Sequence, residues 1–140
     1  MDAPAFENLD LACAKVGKTI AEKPPKDLEN LITSALAVLE EQGLYAFFLF
    51  LKARGGSDAQ KINNNIDKFL KATPRQAPLL SGSVDVFISL QQMAKDLDKL
   101  LLARDLVRQA LVYARYHARV TEKSSEKSRK EGKEKSEVTI

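Results

Sequence analysis

Leu44-Tyr45-Ala46-Phe47-Phe48-Leu49-Phe50-Leu51-Lys52-Ala53-Arg54 is the stretch on which the fold turns. Eight consecutive apolar residues run into Lys52 and Arg54, and Gly55-Gly56 ends the segment. The run is far shorter than the roughly 20 residues that a membrane span needs. An interfacial helix would carry a basic polar face opposite its apolar one, and 44–51 has no polar face. The segment therefore predicts a helix at the centre of a small core, buried on all sides.

Working outward, residues 27–42 place Leu28, Leu31, Ile32, Ala35, Leu36 and Leu39 on one helical stripe, with Asp27 as its cap. Gly43 separates this helix from the core helix. Before it, a first helix over 5–22 carries Phe6, Leu9, Cys13, Val16 and Ile20 at three- and four-residue steps. Pro24-Pro25 stop it, because proline lacks an N–H and disfavours helix at the residue before it. After Gly55-Gly56, Ser57 or Asp58 caps a fourth helix over 59–72, with Ile62, Ile66, Phe69 and Leu70 inside. Two prolines and a glycine make 73–82 a loop. A short helix over 84–92 follows, then the longest, over 95–120, with Leu100, Ala103, Val107, Leu111, Ala114 and Ala118 facing inward. No segment alternates with period two for long enough to be a strand. The sequence thus predicts an all-α fold: a single compact bundle of five or six helices over 1–120. Residues 121–140 form a charged solvated tail or a frayed helix extension, because the stretch 122–137 is almost wholly Glu, Lys, Ser, Arg and Gly and has no apolar stripe. Leu31, Leu36, Phe47, Phe48, Phe50, Phe69, Leu100 and Leu111 are expected in the core.

With 140 residues, 44% of them hydrophobic, the chain has material for one domain and one core. No apolar run of signal-peptide type follows Met1-Asp2, and the one cysteine, Cys13, allows no disulfide within the chain; an intracellular, cytoplasmic protein is the expectation. Net charge is only +3. A catalytic centre is hard to assemble from what remains. The one histidine, His117, excludes a two-histidine metal site. Cys13 could pair with it as a nucleophile, yet Cys13 lies on an apolar seam, where a thiol is inert. Arg54-Gly55-Gly56-Ser57 lacks the spacing and the Lys-Ser/Thr pair of a phosphate loop. The carboxylate pairs Glu40-Glu41 and Asp96/Asp98 read as solvated charge. No catalytic residue, cofactor or metal is expected.

The basic residues are better ordered. Arg104, Arg108, Arg115 and Arg119 fall within about 60° of one another at ~100° per residue, a stripe ~22 Å long beside the apolar face of the last helix. Arginine suits such a stripe because its planar fork binds phosphate oxygens and stacks on bases. Lys61, Lys68 and Lys71 form a second strip on the fourth helix, and Lys52, Arg54 and Arg75 stand at loop edges. The alternative is a solvated face with local ion pairs, Asp105 neutralising Arg108 in part.

Leu-Phe-Leu-Lys-Ala-Arg-Gly at 49–55, the stripe, glycine and aromatic helix before it, and Ala-Leu-Val-Tyr-Ala-Arg-Tyr-His-Ala at 110–118 carry a resemblance. Over 5–120 the chain resembles the small helical subunit of type III-B CRISPR (Cmr) RNA-guided effector complexes. The resemblance implies a non-catalytic, all-helical subunit. It would stack head to tail with copies of itself and bind other Cmr-type subunits beside the guide RNA and target RNA. Its basic surface would contact nucleic-acid backbone, the nominated residues being Arg104, Arg108, Arg115, Arg119, Lys52, Arg54, Lys61 and Lys68. Base pairing by the guide would supply sequence specificity. Two other classes fit the residues: a helical adaptor that binds protein alone, and a small DNA-binding regulator, for which no short helix–turn–helix stands out.

Overall fold

The computed structural model of the chain describes residues 7–22, 27–82 and 84–138, through the backbone alone at 122 and 124–138. Six helices follow one another: α1 (Leu9–Ile20), α2 (Leu28–Gln42), α3 (Leu44–Arg54), α4 (Ser57–Ala72), α5 (Val86–Met93) and α6 (Leu97–Val138). There is no strand among the described residues. The fold is all-α, and none of the described helices is long and apolar enough to cross a membrane. The expected start of the first helix at Ala5 and Phe6, and the stop at Pro24-Pro25, lie outside the described residues.

One residue separates α2 from α3. The N–H of Gly43 donates to Leu39 O at 3.0 Å, closing α2, and its carbonyl accepts from Phe47 N at 3.0 Å, opening α3. Gly43 does both at φ +97°, a backbone conformation that strains any residue with a Cβ. The chain therefore turns without a loop, and α3 folds back into the space between α2 and α4. Gly56, not Ser57 or Asp58, is the N-cap of α4. Asp27 holds the N-cap position of α2 through its carbonyl, which accepts from Leu31 N, and its carboxylate makes no capping bond.

The stripes meet in one core. All six predicted residues of α2 are buried, as are Ile62, Ile66, Phe69 and Leu70 of α4 and Ala103, Val107, Leu111, Ala114 and Ala118 of α6. Phe47 and Phe48 are fully buried and meet edge to face, centroids 5.1 Å apart. Removing either ring would cost about 3–5 kcal/mol through lost transfer energy and the cavity left behind. The loop after α4 adds Leu79 and Leu80 to the core, tied by Leu80 N to Leu70 O at 3.1 Å.

Two expectations need correction. The core helix is not buried all round: Tyr45 and Leu49 are 44% and 50% exposed, and Phe50 is only partly buried. A helix ~10 Å across in so small a bundle is covered by α2, α4, α5 and α6 and still keeps one open side. Leu100 is partly buried. Cys13 packs at Leu106 and Gly17 at Ala110 to Ala114, so α1 runs parallel to α6 and begins level with about residue 102, leaving Leu100 past its start. Of the two forms expected for the charged segment, the structure has the helical extension: α6 continues past Val120 to Val138.

Candidate nucleic-acid interface

The flank of α6 beside its buried face carries the four arginines, and α2 lies along that flank. Arg104 Nη2 donates to the backbone carbonyl of Glu40 at 2.7 Å. Arg119 Nε donates to the Glu29 carboxylate, an ion pair that raises the guanidinium pKa above its ordinary value. The higher α6 number meets the lower α2 number, so the two helices are antiparallel. Glu40 lies in the last turn of α2, where carbonyls lack intrahelical partners. Arg104 thus supplies a donor to the end of α2, and Arg119 supplies a counter-charge near its start.

The two inner arginines differ. Arg108 is exposed and, among the described residues, forms no hydrogen bond or ion pair, including with Asp105. Arg115 is partly buried, and its Nε is buried without a hydrogen-bond partner. The other nominated cations also divide. Lys61 Nζ donates to the carbonyl of Glu22 at 2.7 Å, joining α4 to the turn after α1. Lys52 Nζ lies 5.3 Å over the Phe87 ring. Arg54 and Lys68 are exposed. Lys71 pairs with Asp67 at 2.9 Å, and Arg75 with Glu7 at 3.6 Å. The structure therefore attaches Arg104, Arg119, Lys61 and Lys52 to the protein and leaves Arg108, Arg54 and Lys68 facing solvent.

Cys13 and His117 are not brought together. The Cys13 thiol is buried and donates to Leu106 O at 3.4 Å. His117 lies eleven residues further along the same helix, about 16 Å away along its axis. Burial, with Asp10 nearby, pushes the Cys13 pKa up to about 11, so the thiol stays protonated at neutral pH. Asp96 has a local duty: its Oδ1 accepts from Lys99 N in the first turn of α6. No group of three or more His, Cys, Asp or Glu side chains among the described residues is placed to hold a metal ion.

Sequence reasoning missed two features here. One is the partner side of the arginine stripe: Glu29 and the Glu40 carbonyl are invisible until α2 is placed. The other is the open side of α3, where Tyr45, Leu49 and Lys52 share a face. Their offsets of zero, four and seven span only ~60° at 100° per residue. A lysine closing that face was the available signal, because a lysine stem lies along apolar surface while its ammonium seeks water. No protein family, curated protein or solved structure matches the chain.

Proposed function

We propose that this chain is a non-catalytic subunit of a type III-B CRISPR (Cmr-type) effector ribonucleoprotein. It stacks with copies of itself along the guide–target RNA duplex and contacts nucleic-acid backbone through its basic residues. The proposal rests on the resemblance over 5–120, and the all-α bundle is the architecture which that resemblance implies. The observation that supports the contact is the single file of arginines on α6, in which Arg104 and Arg119 are oriented by α2 and Arg108 stands exposed between them. Exposed cations held at fixed spacing meet phosphates with little side-chain entropy left to lose. Several stacked copies would multiply weak contacts.

The protein-only adaptor is the second reading. It is favoured by the engagement of Arg104 and Arg119 with α2 and by the exposed apolar side chains Leu97, Leu101, Tyr116 and Val120 along α6. One experiment separates the two. The tagged full-length chain is captured from its source cells and the co-purifying subunits and RNA are identified. Target-RNA affinity of the assembly is then measured against salt for wild type and for Arg54→Ala/Lys68→Ala/Arg108→Ala, which leaves the α2 ties intact. The ribonucleoprotein role predicts bound RNA and a salt slope reduced by roughly one for each phosphate-binding cation removed. Assembly without RNA, or equal slopes, establishes the adaptor instead.

A further inference from the structure

The open side of α3 departs from the pattern of its neighbours. Exposed positions on α2 include Thr33, Ser34, Glu40 and Glu41, and on α4 they include Gln60, Asn64 and Lys68. On α3 they include Tyr45 and Leu49, and Ile88 of α5 is 49% exposed. Tyr45 is held there by contact with Phe87, ring centroids 5.2 Å apart at 61°. Lys52, seven residues on from Tyr45, lies over the same Phe87 ring. Two aromatic rings and an ammonium are thus fixed together on a surface that keeps the tyrosine in water.

Charge decides what such a surface receives. Neither α3 nor α5 contains an Asp or Glu, and α3 carries Lys52 and Arg54 in its last turn. The nearby Asp85 carboxylate accepts from Phe87 N as the cap of α5. Arg54, nine residues on from Tyr45, falls about 180° round the helix, so the surface is aromatic with Lys52 as its cation. Single-stranded nucleic acid has the complementary chemistry, flat π faces alternating with phosphates, and each stacked base contributes substantially to affinity. An ammonium over one ring adds cation–π attraction without losing its N–H donors to phosphate.

We propose that Tyr45, braced by Phe87, is a stacking platform for an unpaired RNA base, with Lys52 receiving the adjoining phosphate. This deepens the ribonucleoprotein role and rests on it. It adds to the backbone contacts of α6, where two of four arginines are engaged with α2, a site on α3 for an unpaired stretch of the same RNA.

The chain has no tryptophan, so Tyr45→Trp in the full-length protein places one fluorophore on the platform. The probe is a single-stranded oligouridylate of about twelve nucleotides, compared with the same strand in a duplex; twelve lies within the usual range for such sites. Saturable quenching by the single strand is expected, at least tenfold weaker with the duplex. The midpoint should rise with salt as counterions are released, and Lys52→Ala should raise it about threefold or more. Circular dichroism checks that each variant keeps its helix content. No quenching, equal quenching by duplex, or a spectral shift that tracks protein concentration alone overturns the platform; the last outcome makes the face a protein-docking surface. In the captured assembly, wild-type RNA affinity with Tyr45→Ala overturns the platform while the ribonucleoprotein role stands. A wild-type assembly that holds no RNA overturns that role, leaving the fluorescence titration to decide the platform.

Discussion

Helix α6 is gripped on two flanks by opposite means. Against α1 the packing is backbone to backbone: a Cβ built on Gly17 would stand 2.7 Å from Ala114 N and from Tyr113 Cβ, and 2.8 Å from Ala110 O. Against α2 the ties are long arms, Arg104 to the Glu40 carbonyl and Arg119 to Glu29. The first seam has no slack, because small residues let the helices close until main-chain atoms touch. The second has a polar edge that reaches solvent, its arginine and glutamate 50% and 27% exposed at the side chain. An exposed arm can exchange its partner for a phosphate; a glycine seam can exchange nothing. The α1 seam is therefore a place for stability and the α2 seam a place where a ligand can compete.

The sharpest way to break this contrast is Gly17→Ala. In an exposed helix the change would stabilise by about 1 kcal/mol, because alanine is the better helix former. Here the new methyl meets backbone atoms that cannot rotate away. Overpacking of about 1–3 kcal/mol or more should win. The expected net loss of about 2 kcal/mol lowers Tm by roughly 6–8 °C, read by thermal denaturation. A Tm at or above that of wild type would show that the seam has room to give.

The same seam makes stability depend on alkaline pH. Cys13 titrates near 9 when the chain is unfolded and at about 11 when folded. Between those values the unfolded chain has released the proton and the folded chain retains it. Stability is therefore full below pH 9, falls as pH rises, and levels off above about 11. Two pH units correspond to a loss on the order of 2–3 kcal/mol. Tyr113, whose hydroxyl donates to Asp10 at 2.8 Å, is also raised from its ordinary value, so it adds a decline of the same sign above pH 10. Urea unfolding at pH 8 and pH 10.5 should show a clearly smaller loss for Cys13→Ala than for wild type. Identical losses would place the pH dependence elsewhere.

How much of this was legible in the sequence follows from the range of each interaction. The stripes of α2, α4 and α6 announced their buried faces, because a period of 3.6 is local information. Gly43 announced a break for the same reason. The 44–51 run did not announce its open side, since an apolar helix has no internal contrast and only its neighbours decide which residues face water. The helical period put the arginines on one flank of α6, and Arg104 and Arg119 both reach α2 from it. What they face could not be read, because Glu29 and Glu40 lie 90 and 64 residues away along the chain. Gly17 passed as an ordinary helix residue, since close approach is a property of two helices. For 121–138 the sequence left a solvated tail and a helix extension both open, and the structure has the helix. No apolar periodicity marks 121–138, and only local charge pairs such as Glu126 with Lys130 and Glu131 with Lys135 favour helix there.

The smallest effects belong to the arginine seam, and they are the ones that bear on ligand exchange. A partly exposed ion pair gains modest Coulomb energy and loses side-chain entropy, so the Arg119–Glu29 pair should couple by no more than about 1 kcal/mol. A double-mutant cycle of Arg119→Ala and Glu29→Ala, read by urea unfolding, measures this directly. Raising salt should shrink the coupling, because exposed charges are screened within about 10 Å at 0.1 M. Arg108→Ala, with no partner to lose, should change stability by less than about 0.5 kcal/mol. A coupling of several kcal/mol that resists salt would mean that Arg119 is locked to α2 as firmly as Gly17 is to α6. The two flanks would then be alike, and among the stripe arginines Arg108 alone would remain a solvent-facing partner for phosphate. A weak, salt-sensitive coupling keeps Arg119 exchangeable, so that a phosphate arriving at α6 has only to displace one exposed carboxylate.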